Sequence, residues 1–149
     1  THFDNDPIVV LETTRGDIVI RCLAGEAPVH VANLVQLVEQ GAYDGLIWHR
    51  VVSNFVIQGG DPRGDGWGGP GYTLRDEIHP GRFKRGAVGM PKAGKDTGGS
   101  QIFITHLPTP HLDGNYTLFG LVLQGLEVID RIEVGDSIVR AYVVPEGPE

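Results

Sequence analysis

IWHRVVSNFVIQGGDP, residues 47–62, decides how the chain is built. Two short runs rich in β-branched and aromatic residues, 47–52 and 55–59, flank Ser53-Asn54 and end in a Gly-Gly-Asp turn, which is the punctuation of strand, turn and strand. One residue does not fit a plain apolar strand. Arg50 puts a permanent charge a few positions before Phe55 and Gln58. Side chains alternate along a strand, so Arg50, Val56 and Gln58 share a face provided the Ser53-Asn54 bend keeps the register.

Outward from this pair the same texture recurs. Residues 7–13 and 17–23 flank Thr14-Arg15-Gly16 as a hairpin, and further strands are expected at 86–90, 101–105, 117–122 and 138–144. In 101–105 the alternation turns Gln101 and Phe103 to one face and Ile102 and Ile104 to the other. The 22 glycines and 10 prolines break the chain into many short apolar runs, which favours a mainly β plan. Eight strands suit a closed barrel filled by its own side chains. Two helices interrupt them. PVHVANLVQLVEQG (28–41) carries Val31, Leu34, Val35 and Val38 on one face, with Pro28 in the first turn, Gly41 at the C-terminal end and a weak N-cap in Ala27. A shorter helix over 126–133 groups Val128, Ile129 and Ile132. Both are expected to cap the barrel.

Composition removes several functions. The 149 residues suit a single domain spanning 1–149, with 1–6 and 145–149 as loose termini. No apolar run approaches the roughly 20 residues of a membrane span. Twelve basic against nineteen acidic residues give a net charge of −7, which disfavours nucleic acid. The one cysteine, Cys22, excludes an internal disulfide and reads as a small buried hydrophobe. The chain starts at Thr1, without Met or a signal pattern, so a processed product or a piece of a longer protein is expected. The compartment stays open, with the cytoplasm slightly favoured.

Most motif matches lack the context their chemistry needs. Gly64-Asp65-Gly66-Trp67-Gly68-Gly69 fits GxGxxG, but Pro70-Gly71 follows in place of the helix that would hold a pyrophosphate, so it reads as a loop. Gly94-Lys95-Asp96 lacks the spacing of a phosphate loop. Asp61 and Asp65 lack the other oxygens of a calcium loop. The six histidines form no HxH or HxxxH pair, so no metal is expected. Ser100 sits in Gly99-Ser100-Gln101, without the strand–turn–helix elbow of an esterase. A mixed polar and apolar surface remains, built around Arg50, Phe55, Gln58, Gln101 and Phe103. An arginine that merely snorkels to solvent is the bland alternative.

At these residues the sequence resembles the cyclophilin-type peptidyl-prolyl isomerases. WHRVVSNFVIQGGDP, GAVGMPKAGKDTGGSQIFIT and HLDGNYTLFGLV match the family's motifs in order and spacing over nearly the whole chain. The resemblance implies a closed eight-stranded antiparallel β-barrel capped by two α-helices, and rotation about Xaa-Pro bonds without metal or cofactor. It implies Arg50 as the catalytic arginine, a proline pocket of Phe55, Val56, Phe103 and Leu112, and Gln58 and Gln101 as polar groups holding the peptide. Pro91 and Lys92 match a segment whose backbone pairs with the residue before proline. Val56 stands where methionine is common, His111 where many members carry tryptophan, and Tyr116 where many carry histidine. Weakened cyclosporin binding is therefore expected. The partners implied are proline-containing peptides and unfolded or partly folded proteins, met by a monomer. The competing reading is a non-catalytic docking module for proline segments within a larger protein.

Overall fold

The structure, a computed structural model, describes residues 6–92 and 99–145. Most of the two termini expected to be loose, and Gly94-Lys95-Asp96, lie outside the described residues. The elements run β1 (Ile8–Thr13), β2 (Gly16–Cys22), α1 (Pro28–Glu39), β3 (Trp48–Val52), β4 (Val56–Gly59), β5 (Ala87–Gly89), β6 (Ile102–Thr105), β7 (Leu118–Gln124), α2 (Leu126–Arg131) and β8 (Ile138–Val143). All ladder pairings are antiparallel, and the sheet order is β3-β4-β6-β5-β7-β2-β1-β8.

The expected closure of the barrel is not met. β3 and β8 lie at opposite ends of the sheet order, and the residues just before them, Ile47 and Ser137, form an isolated bridge. The turn after α2 occupies this seam. Trp48 N–H donates to the Asp136 carbonyl at 2.8 Å, and Gly135 N–H donates to the Trp48 carbonyl at 3.1 Å. Turn backbone thus takes up the groups a ladder would have used, and the sheet curls into an open half-barrel.

Helix α1 solves a local problem from a distance. Ala27 provides no side-chain cap. The Glu77 carboxylate does so instead, accepting Val29 N–H at 3.1 Å and His30 N–H at 2.7 Å, and it also meets the His30 ring at 2.5 Å. An acidic group at a helix N-terminus satisfies orphan donors and complements the helix dipole. The buried apolar face of α1 is Val31, Leu34, Leu37 and Val38, with Val35 only half-buried. Gly41, just past the C-cap Gln40, takes φ +74 as a left-handed terminator. The second helix stops at Arg131, two residues short of the expected end, because Ile132 is already extended.

The strands sort their side chains into two apolar clusters. Ile57, Ile102 and Ile104 face inward to the main core with Ile18, Ile20, Phe119, α1 and α2. Val56 and Phe103 face the other way, into a second cluster with Phe83, Ala87, Leu112 and Leu118. Cys22 is fully buried, and burial, with Asp6 adding, pushes its thiol up to about 12, which suits the role of a small hydrophobe.

Candidate active site

The second cluster is the floor of an open cleft of about 580 Å³, a size ordinary for a ligand site. Among its lining residues are Phe55, Val56, Phe103, Leu112 and Tyr116, together with Arg50, Gln58, Pro91 and Lys92. Phe103 is the centre of the floor. It stacks on Phe83 at 5.6 Å between ring centroids and meets the edge of Tyr116 at 5.9 Å. Gly89 pairs with Phe103 across the ladder, and a Cβ there would run into the Phe103 and Phe83 rings. Bare backbone on β5 is what allows the ring to lie flat.

Arg50 reaches this cleft through a register shift. Trp48 and Arg50 would share a face of a regular strand, but the pairing of β3 with β4 shifts between them. Trp48 therefore enters the main core, fully buried, while Arg50 stays exposed opposite Gln58. Arg50 Nη1 donates to Gln58 Oε1 at 3.2 Å, Gln58 Nε2 donates to Gln101 Oε1 at 3.0 Å, and Gln101 Nε2 donates to the carbonyls of Gly66 and Gly68, both at 3.0 Å. One chain of hydrogen bonds thus runs from the guanidinium to the loop after β4. Gln101 stands behind Gln58 rather than on the cleft wall.

That loop is held by Asp61, which is 1% exposed. Its carboxylate accepts the N–H of Arg63 at 2.8 Å, Asp65 at 3.0 Å and Gly66 at 2.5 Å. Burial alone would raise its carboxyl, yet these bonds and one from Gly68 win and hold it below the usual range. A Cβ on Gly68 would collide with the same carboxylate. The loop brings Asp65, Gly66 and Trp67 to the cleft wall, beside His49. Burial, assisted by the Arg50 charge and opposed by Asp61 and Asp65, pushes the His49 imidazole down.

The remaining expected residues frame the rim. His111 stacks on Phe55 at 5.6 Å, next to the cleft rather than in it. Lys92 pairs with Asp76 at 3.0 Å and lies 5.1 Å from the Tyr116 ring centroid. Ser100, weighed as a nucleophile, is buried and donates its hydroxyl to the Gly60 carbonyl at 2.8 Å. Among the described residues no group of three or more His, Cys, Asp or Glu could hold a metal ion, and no helix is long and apolar enough to cross a membrane. His49, Asp65 and Trp67 were not anticipated from the sequence. A readable signal existed for Trp67, since a tryptophan among glycines has no regular element to bury it.

The family model described as cyclophilin type peptidyl-prolyl cis-trans isomerase/CLD matches residues 8–144. A peptidyl-prolyl cis-trans isomerase of Helicobacter pylori is 45% identical over 132 residues, covering 86% of this chain and 81% of its own. Peptidyl-prolyl cis-trans isomerase B of Bacillus subtilis is 53% identical over 119 residues, covering 78% and 83%. Among solved structures, a Cryptosporidium parvum cyclophilin-type isomerase crystallised in the presence of the dipeptide Ala-Pro superposes with a TM-score of 0.87 at 30% identity, covering 93% of this chain and 99% of that one.

Proposed function

The chain belongs to the cyclophilin-type peptidyl-prolyl cis-trans isomerases, and from that premise we propose that Arg50 catalyses rotation about Xaa-Pro bonds whose proline ring sits on Phe55, Val56, Phe103 and Leu112. The substrates are proline-containing peptides and partly folded proteins. The observation that carries this is an exposed guanidinium steadied by Gln58 beside an open cleft whose floor is apolar.

The chemistry follows from the amide itself. Rotation costs about 18–20 kcal/mol because it breaks the resonance between nitrogen and carbonyl. At the twisted geometry the proline nitrogen holds a localised lone pair and accepts a hydrogen bond it would refuse when planar. A guanidinium, which keeps its proton throughout the working range, therefore stabilises the transition state more than either ground state. Gln58 acts by aiming Arg50. Gln101 positions Gln58 and, in the same network, the 66–68 backbone. The Pro91 carbonyl and the Lys92 N–H pair with the residue before proline. Lys92, occupied by Asp76 and Tyr116, serves through its backbone rather than its charge. No metal or cofactor enters this scheme.

Three finer readings go with it. The active unit is a monomer formed by one domain over 1–149. His111, stacked on Phe55, offers cyclosporin less apolar area than an indole, so the drug binds weakly. Val56 shortens one wall of the pocket relative to methionine. A protease-coupled assay on an Ala-Pro peptide tests the core of the proposal. Wild type accelerates isomerisation and chelator leaves the rate unchanged, while Arg50→Ala loses about 100-fold or more, the usual cost of one transition-state donor. A folded Arg50→Ala with full activity would sink the mechanism. Wild type that binds the peptide without accelerating it would instead make the domain a docking module.

A further inference from the structure

Trp67 is 79% exposed, the most exposed of the large hydrophobic residues described, yet its backbone is held. Its N–H donates to Asp65 Oδ1 at 2.8 Å, and the carbonyls on either side, Gly66 and Gly68, are both held by Gln101. Asp61 clamps the same loop from below. The backbone under the indole is thus organised before any ligand arrives. Trp67 also stands between two hollows, the main cleft and a neighbouring one of about 410 Å³, and Gln58, Pro91 and Lys92 border both.

We propose that Trp67 is a specificity-determining residue, a flat platform that favours aromatic or large apolar side chains on the amino-terminal side of the substrate proline. This rests on the isomerase reading above, in which Pro91 and Lys92 pair with the residue before proline. A side chain leaving the backbone there meets the indole that shares both hollows with those two residues. Aromatic contact on a pre-organised surface loses little conformational freedom on binding. The charges around it are already engaged, Arg63 with Asp65 at 2.7 Å and Lys92 with Asp76 at 3.0 Å, so neither sign is favoured on this wall.

The test uses the full chain and short peptides in which the residue one or two positions before proline is Ala, Leu, Glu, Lys or Phe. Turnover is read by exchange NMR as the ratio of kcat/KM for Phe over Ala. Binding is read from tryptophan emission, because Trp48 is fully buried and the exposed signal is that of Trp67. Wild type prefers Phe by about twofold to tenfold, the size of an aromatic pair contact, and the ratio falls to near one in Trp67→Ala and partly returns in Trp67→Phe. Saturating Phe-Pro peptide shifts the emission of wild type but not of Trp67→Phe. An unchanged ratio in Trp67→Ala, or an emission unmoved by bound aromatic peptide, overturns the assignment. If no peptide is turned over while the emission still shifts, isomerase chemistry fails and the platform stands as part of a binding site.

Discussion

Strands β4 and β6 carry two apolar surfaces with opposite fates. Ile57, Ile102 and Ile104 enter a core enclosed by both helices and the curled sheet, while Val56 and Phe103, one residue away, form the floor of an open cleft. The alternation that builds one builds the other. The inward set is sealed, whereas the outward set is walled by Phe83, Leu112 and Tyr116 and left open beside Arg50. A step of one residue therefore separates positions that serve stability alone from positions that serve the cleft as well.

Substitutions on β6 should separate the two faces most sharply. Ile104→Ala removes a fully buried side chain and should cost about 2–5 kcal/mol by denaturant unfolding, with kcat/KM per folded molecule kept within a few-fold. Phe103→Ala should cost about 3–5 kcal/mol and also abolish most turnover, because it removes the floor. Equal losses of activity in the two variants would show that the faces are not functionally distinct.

The next effect comes from pH. Asp61 has its folded pKa depressed below the ordinary 3.8, so the stability it contributes is present above that value and is lost as pH falls through the folded one. His49 acts with the same sign. Its folded pKa lies below the ordinary 6.5, so the unfolded chain binds a proton that the folded site refuses, and stability declines as pH drops past that value. Arginine chemistry needs no proton transfer, so kcat/KM should stay flat from mildly acidic to mildly alkaline pH, while the melting temperature falls on the acid side. A bell-shaped rate profile centred near neutrality would bring general acid–base chemistry back.

His111→Trp is the mildest change. The larger indole should tighten cyclosporin inhibition by roughly tenfold, the return on a few tens of square ångströms of added burial at about 25 cal/mol per Å². Turnover of small proline peptides should change less than twofold. An unchanged inhibition constant in a folded variant would show that the HLDG segment does not govern the drug.

How much of this the sequence disclosed depends on the range of the interactions concerned. Alternation separated Phe103 from Ile102 and Ile104 correctly, because period two is a local property of the chain. It put Arg50, Val56 and Gln58 on one face, but the shift that frees Arg50 from the face of Trp48 left no mark in the residue pattern. Glu77 caps α1 from 47 positions beyond His30, and no local cap rule reaches that far. The expectation of a closed barrel follows from strand number and from the family resemblance, whereas the seam is decided by how the 133–137 turn spends its backbone groups. The sequence marks Gly64 to Gly69 as a loop. Its function as a cleft wall depends on Asp61 and Gln101, which act on it from 2–5 and 33–35 positions away.

On this mechanism Arg50 acts on the transition state rather than on the bound peptide. Exchange NMR on one proline peptide yields both its dissociation constant and its rate of cis–trans interconversion on the protein, for wild type and for Arg50→Ala. In Arg50→Ala, binding should be preserved within about threefold and interconversion slowed by about 100-fold or more, because only the twisted amide offers a lone pair to the guanidinium. Equal losses in binding and rate, or a rate that survives the substitution, would contradict it.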